Sequence, residues 1–388
     1  MSISLNQTPA QVSLAQSPII FTVAESDSNL LTSSSFQFVG NLYYWQGGPA
    51  ASGSTPEYTI VKYPNTSNVG IFDLNRIINS TLTDLAIQNT SNVEYFAVDF
   101  FWQWLSGSTY VTGSHVKSDV YKALDGYGVF QEPIGQNITS ASAYWPLMTS
   151  GPATQSAFID NYGTAGVYVG AAGGAQPTKI VYTSNLGSAD YTVSTNLSSS
   201  GQIAQYPIGP AQSGFPLSTN GLTYYTTQAY NGSTPLGLPI KYTIECIQKY
   251  PNVRIKWKNR FGQFDWFNFY MVNRKSFQTE KKTYQPQLGS WEGSTLSYQN
   301  YDSGILNYVV DSKQSIQVNS FWIPEDYNEI LKQLLVSDEI YWVYDEAQAL
   351  VRPLTIATQN ITFKTGVNDH LIQYQFDFNY GQAYKLIL

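Results

Sequence analysis

Charge is scarce in this chain. Only 12% of its 388 residues are Asp, Glu, Lys or Arg, about half the share usual for a soluble domain. One cysteine, Cys246, excludes an intrachain disulfide framework and a cysteine-based zinc site. It lies in the strand-like run Tyr242 to Ile247 and reads as a buried, inert thiol. Two histidines leave little for nucleophilic or acid–base catalysis. His115 follows Thr112-Gly-Ser in an expected loop, and His370 ends the turn Gly366-Val-Asn-Asp369. HExxH, EF-hand and P-loop patterns are missing, so no metal ion and no cofactor is expected. Gly170-Ala-Ala-Gly-Gly174 reads as a turn, not a phosphate cradle. No run approaches about 18 apolar residues, so no membrane insertion is expected. The opening MSISLNQTPAQVSLAQSP lacks the basic and apolar regions of a cleaved signal. Asp99, Glu132, Asp265 and Glu292 could on paper supply a pair of catalytic carboxylates, but no spacing selects one. A non-enzymatic protein with no catalytic residues is the expectation. Sequons at Asn65, Asn137 and Asn360 are chance products of a chain rich in Asn, Ser and Thr.

What is present points to β structure. Aromatic residues make up 15% of the chain, with 30 Tyr and 9 Trp, alongside 29 Gly. Aromatics in excess over Lys and Glu suit an assembled β protein. The expected fold is mainly β: β-sandwich domains with two short helices and an inserted Gly/Ser/Thr/Tyr-rich β or loop region. Residues 1–16 read as a polar docking arm, ordered only when docked. Residues 17–134 read as an N-terminal sandwich domain. Its helix begins after Asp73 and carries Leu74, Ile77, Ile78 and Leu82 on one face. Residues 135–237 hold only Asp160, Lys179 and Asp190 as charges, yet too many Tyr and Phe for a disordered linker. They read as an insert whose removal should leave the flanks folded. Residues 238–388 read as a C-terminal β domain with one amphipathic helix, Glu325 to Val336, which Pro324 starts and acidic residues open. Strands are expected around Ile340, Leu350, Ile361 and Leu371, the last alternating Ile372, Tyr374, Phe376 and Phe378 against Gln373, Gln375 and Asp377.

The densest signal is Lys249 to Tyr284. Ten of the 20 Lys and Arg residues fall between Lys241 and Lys282, in a chain of net charge −7. Val253, Ile255 and Trp257 alternate with Arg254, Lys256 and Lys258, the pattern of a strand with one buried and one wet, basic face. A turn at Asn259 to Gly262 follows, with Gly262 free to take positive φ. The return strand, Phe264 to Tyr270, is too aromatic for a solvent face and is expected to be buried or covered by a partner subunit. Arg254, Lys256, Trp257, Lys258, Arg260, Phe264, Trp266, Phe267 and Phe269 are therefore the interface candidates. Asp265 is expected to ion-pair with Arg254, Lys256 or Arg260.

At this hairpin the run Trp257-Lys-Asn-Arg-Phe-Gly-Gln-Phe-Asp-Trp-Phe-Asn-Phe269 resembles a W-x-N-x-x-G-x-[FY]-D-x-[FW]-x-F signature of tail-associated virion proteins of phages infecting Bacteroidetes. The order of parts is similar too. An arm and Ser17-Pro-Ile-Ile-Phe21 precede the Gly70 to Leu74 helix start. A helix, Leu335 to Trp342, Arg352-Pro-Leu-Thr-Ile356 and a final alternating strand follow. The resemblance covers both ends but not 135–237. It implies a structural subunit of a phage virion tail, made in the host cytoplasm, in a ring, collar, distal-tail or baseplate layer. Its implied partners are copies of itself in a ring and adjacent tail proteins. Arg254, Lys256 and Lys258 could also touch passing DNA, weakly at this net charge. A rival reading is a carbohydrate- or receptor-binding module, with Trp102, Trp104, Trp145 or the Tyr-rich insert stacking on a host surface glycan.

Overall fold

A computed structural model of the chain describes residues 3–46, 55–82, 93–129, 144–170, 176–193, 203–245, 249–345, 347, 350–366 and 372–382. The fold is mainly β, as expected, with three short helices among the described residues where two were anticipated. The unanticipated one, Ser28–Leu31, is a single turn that Asp27 caps through the amide of Asn29. Contacts divide the chain into two units. The first comprises Met1–Cys246, Lys258–Asp265 and Glu329–Leu334; the second comprises Ile247–Trp257, Trp266–Asn328 and Leu335–Leu388.

The first unit opens as a sandwich. A three-stranded sheet (Ser4–Gln7, Ile20–Ala24, Val69–Asp73) and a larger one ordered Val12–Leu14, Tyr121–Leu124, Val93–Ser106, Gln37–Trp45, Tyr58–Lys62 bury one aromatic core. Phe21 and Phe72 meet Phe100 at 5.4 and 5.1 Å between ring centroids, distances at which ring pairs attract. The helix Asn75–Thr81 adds Leu74, Ile78 and Leu82 to that core, on the expected face. Asp73 does not cap it in the usual position. Its carboxylate accepts from the amides of Ile19 and Asn75 and so ties the helix start to the neighbouring strand. The expected docking arm is docked within the chain itself. Ser4–Gln7 pairs with Ile20–Ala24, and Val12–Leu14 is buried beside Tyr121–Leu124 in parallel register.

The described residues of the insert build β structure. Thr154–Ala157, Thr234–Ile244, Tyr224–Asn231, Lys179–Ser184 and Gly187–Thr192 form a five-stranded sheet, and Thr164–Tyr168 pairs with Ile203–Pro207. The expected end at residue 237 falls inside the strand Thr234–Ile244. Tyr168, Tyr182, Tyr206 and Tyr225 of the insert are buried, and Tyr182, Tyr225 and the neighbouring Tyr242 stack in succession. Tyr182 and Tyr225 donate their hydroxyls to the carbonyls of Pro207 and Ile208, which satisfies the polar end of each buried ring. Cys246, His370 and Glu132 lie outside the described residues.

The second unit is built on a seven-stranded sheet ordered Phe264–Phe269, Val253–Lys258, Ile340–Asp345, Leu350–Ile356, Gln375–Tyr380, Leu306–Asn319, Arg274–Tyr284. The sheet curls on itself. Phe269 meets Phe376 at 5.7 Å although three strands lie between theirs. Ile372, Tyr374, Phe376 and Phe378 are buried, as the alternation predicts. Residues 361–363, expected as a strand, are irregular; Phe363 instead packs on Tyr374, whose hydroxyl accepts from the Lys364 amide and donates to Asn328. The helix Tyr327–Val336 starts two residues later than expected and buries Tyr327, Ile330, Leu331 and Leu334; Leu335 is half-buried. No helix among the described residues is long and apolar enough to cross a membrane.

Candidate functional site

The hairpin forms where expected, but its basic face is not wet. Every residue of Val253–Lys258 is buried, with Arg254 at 4%, Lys256 at 9% and Lys258 at 6% exposure. Trp266 explains two of the three. The Arg254 guanidinium lies 4.5 Å and the Lys256 ammonium 5.3 Å from its ring centroid, so the indole covers both cations while attracting them. Burial, with the Arg254 charge beside it, lowers the Lys256 pKa to about 8 against the pull of Glu339. Lys258 is paired at 2.6 Å with Asp125, itself buried. These three cations are held inside the chain, which removes the reason for placing passing DNA there. Trp257 and Phe269 are fully buried and Phe267 is 5% exposed, while Phe264, Trp266 and Arg260 are half-buried.

The turn gives the signature residues a structural task. Asn259, 1% exposed, accepts the amides of Phe261 and Gln263 on its side-chain oxygen and donates to the carbonyl of Met148. Gly262 has φ +73°, and a Cβ there would lie 2.1 Å from the Asp125 carbonyl oxygen, so no other residue fits. Arg260 uses its backbone: the carbonyl accepts from the Tyr127 amide and the amide donates to Gln333. Asp265, 4% exposed, makes no ion pair with Arg254, Lys256 or Arg260. Its oxygens accept from the Thr149 hydroxyl at 2.5 Å and the Ser150 amide at 3.2 Å. Burial raises its pKa to about 6, and these hydrogen bonds, with that of Asn259, hold it from rising further. Met148, Thr149 and Ser150 belong to the expected insert. Cutting out residues 135–236 would take the Met148 carbonyl from Asn259 and the Thr149 hydroxyl and Ser150 amide from Asp265, a cost that weighs against the expectation that the flanks survive.

Other candidates are packed or dispersed. Asp99 pairs with the exposed His115 at 2.8 Å, and that ring stacks on Phe101. Trp102 is 6% exposed, with Trp104 and Trp145 half-buried. Composition gave no hint of Glu94, a fully buried carboxyl whose one oxygen accepts from Thr81 at 2.5 Å. Burial raises its pKa to about 7. No group of three or more His, Cys, Asp or Glu among the described residues could hold a metal ion.

The exposed feature is one that alternation did not single out. Arg274–Tyr284 and Leu306–Asn319 form a two-stranded ribbon. Only residues 315–319 of the second strand pair back into the sheet, so 277–284 and 306–314 run free of it. All eleven residues of Arg274–Tyr284 are exposed. Beyond the ribbon a small hairpin, Ser290–Glu292 with Thr295–Ser297, carries Trp291 at 69% exposure, followed by Tyr298 at 70% and Tyr301 at 84%. Phe277, Tyr284, Leu288, Leu296, Ile305 and Tyr308 are exposed as well.

No family model and no curated protein matches the chain. Among solved structures, a chimeric titin Z1Z2 functionalized with a KLER exogenous peptide from decorin aligns over 64% of this chain and 100% of its own, at 10% identity and a TM-score of 0.16. That likeness is too loose to carry any argument.

Proposed function

We propose that the chain is a structural subunit that works through subunit–subunit contacts, in a phage virion tail of ring, collar, distal-tail or baseplate type. The observation that carries this reading is the ribbon with its bare aromatic tip. An isolated two-stranded ribbon is marginal in water. A cluster of exposed rings and aliphatic side chains marks a surface that another molecule covers. The tail assignment itself rests on the Trp257 to Phe269 signature and the similar order of parts. The copies and adjacent tail proteins of such a layer are the partners that would cover the ribbon.

Two experiments test the reading. Sedimentation velocity and electron microscopy of the purified chain should show discrete assemblies that vanish when residues 285–305 are replaced by Asn-Gly, with cooperative unfolding unchanged. An antibody to the chain should decorate the tails of particles that contain it; decoration of the capsid, or none, would sink the tail assignment. A host surface glycan remains the second reading, favoured by a cleft at the same tip where Tyr301 stands beside Gln287, Glu292, Gln299 and Asp302. A monomeric chain that binds a glycan through Tyr301 would replace the first reading with this one.

A further inference from the structure

We propose that the tip of the ribbon docks into a cationic aromatic mouth on the second unit of another copy, so that copies join head to tail. The mouth lies where the curled sheet brings Lys275, near the foot of the ribbon, over Trp342 of Ile340–Asp345. The Lys275 ammonium stands 4.6 Å from the Trp342 ring centroid. The Arg352 guanidinium stands 5.7, 4.7 and 6.0 Å from the rings of Trp342, Tyr344 and Tyr380. Both cations are exposed, and neither meets a carboxylate among the described residues. Trp342 and Tyr380 are half-buried and Tyr344 is exposed, which leaves ring surface for an incoming group.

The tip has the complementary chemistry. Between residues 285 and 305 the only charges are Glu292 and Asp302, set among Trp291, Tyr298 and Tyr301. Acid and rings on one part thus match cations and rings on another, and charge complementarity of this kind sets register and rate of association. The tip of one copy is kept from its own mouth. Lys275 pairs with Ile316 at the foot of the ribbon. Nine further strand residues, about 30 Å at 3.3 Å each, separate it from the start of the tip. A second copy has no such restriction. Tip into mouth joins two different patches, so the contact repeats and generates a ring if the rotation closes.

This inference rests on the subunit reading above, and the test separates the two. Three full-length variants are compared with the wild type by sedimentation velocity: a tip reversal (Glu292→Lys with Asp302→Lys), a mouth reversal (Lys275→Glu with Arg352→Glu), and all four changes together. The wild type should associate and lose association near 1 M salt, where the screening length is about 3 Å. Each reversal alone should weaken association at least tenfold. The mixture of the two reversed proteins, and the fourfold variant alone, should recover it. Because recovery is read from the same proteins that failed singly, misfolding cannot imitate it. Assemblies that survive both reversals, or a mixture that stays monomeric, would overturn the tip-and-mouth contact while leaving the subunit reading in place. A wild type that is monomeric at about 0.1 mM, weaker than roughly −5.5 kcal/mol, would overturn both.

Discussion

The hairpin Val253–Phe269 and the strand Arg274–Tyr284 of the ribbon are neighbours in sequence, both basic and both aromatic, yet one is buried and the other bare. What separates them is the strand each pairs with. Val253–Lys258 runs between Phe264–Phe269 and Ile340–Asp345. From these, Trp266 and Tyr341 offer their rings to Arg254 and Lys256. Arg274–Tyr284 is an edge strand whose partner is largely polar, and Glu280 faces Asp311 across the pair. Like charges placed directly opposite disfavour that pairing. Cationic side chains follow the rings available to them, and alternation within one strand cannot report what its neighbours supply.

The largest effect should come from exchanging one tryptophan in each region for alanine. Trp257 is fully buried, so Trp257→Ala should cost about 3–5 kcal/mol in denaturant unfolding. Trp291, 69% exposed, should change stability by about 0.5 kcal/mol or less and alter association instead. Equal losses in the two variants would mean that the ribbon tip is packed in solution and that the contrast between the regions is false.

A second effect sharpens the contrast through pH. Asp265 titrates near 4 when unfolded and near 6 when buried, so the folded chain binds the extra proton between those values. Stability from this group is complete below about pH 4 and is lost as pH rises through 6. The size is about 3 kcal/mol for a shift of about two units. Glu94 acts in the same direction, with its loss extending to about pH 7. Lys256 acts oppositely: its lowered value, about 8, makes the fold gain stability from pH 8 upward. Asp265→Asn should flatten the acid-side slope while keeping an acceptor for Thr149. Chemical denaturation at several pH values measures this, and an unchanged slope in the variant would show that Asp265 is ionised in the fold.

Much of the fold was legible from periodicity because it depends on side chains that repeat along one element. The strand pattern of Val253–Lys258, the turn at Gly262, the helix face of Leu74, Ile78 and Leu82, and the alternation at Phe376 and Phe378 all belong to this kind. What failed depends on partners distant in sequence. Asp265 was expected to seek nearby cations, but it is held by Thr149 and Ser150, more than a hundred residues away. The strand Arg274–Tyr284 escaped notice because it has no buried face to alternate. Glu94 sits in an aromatic run where one carboxylate looks like a solvent residue, and only the burial of both sheet faces makes it unusual.

The smallest effect tests the exposed side of the comparison. Lys281 and Lys282 stand on the ribbon, and both are exposed. Lys281→Ser with Lys282→Ser should change unfolding free energy by about 0.5 kcal/mol or less, because solvated charges contribute little to stability. Arg254→Ser with Lys256→Ser removes the same formal charge from the buried strand and should cost several times more. It strips two cations from the face of Trp266 and leaves space where long side chains packed. The two double variants have the same charge change, so salt and net-charge effects cancel when their denaturation curves are compared. If the hairpin pair proved as mild as the ribbon pair, Arg254 and Lys256 would have to be solvated after all, and the original expectation of a wet basic face would return.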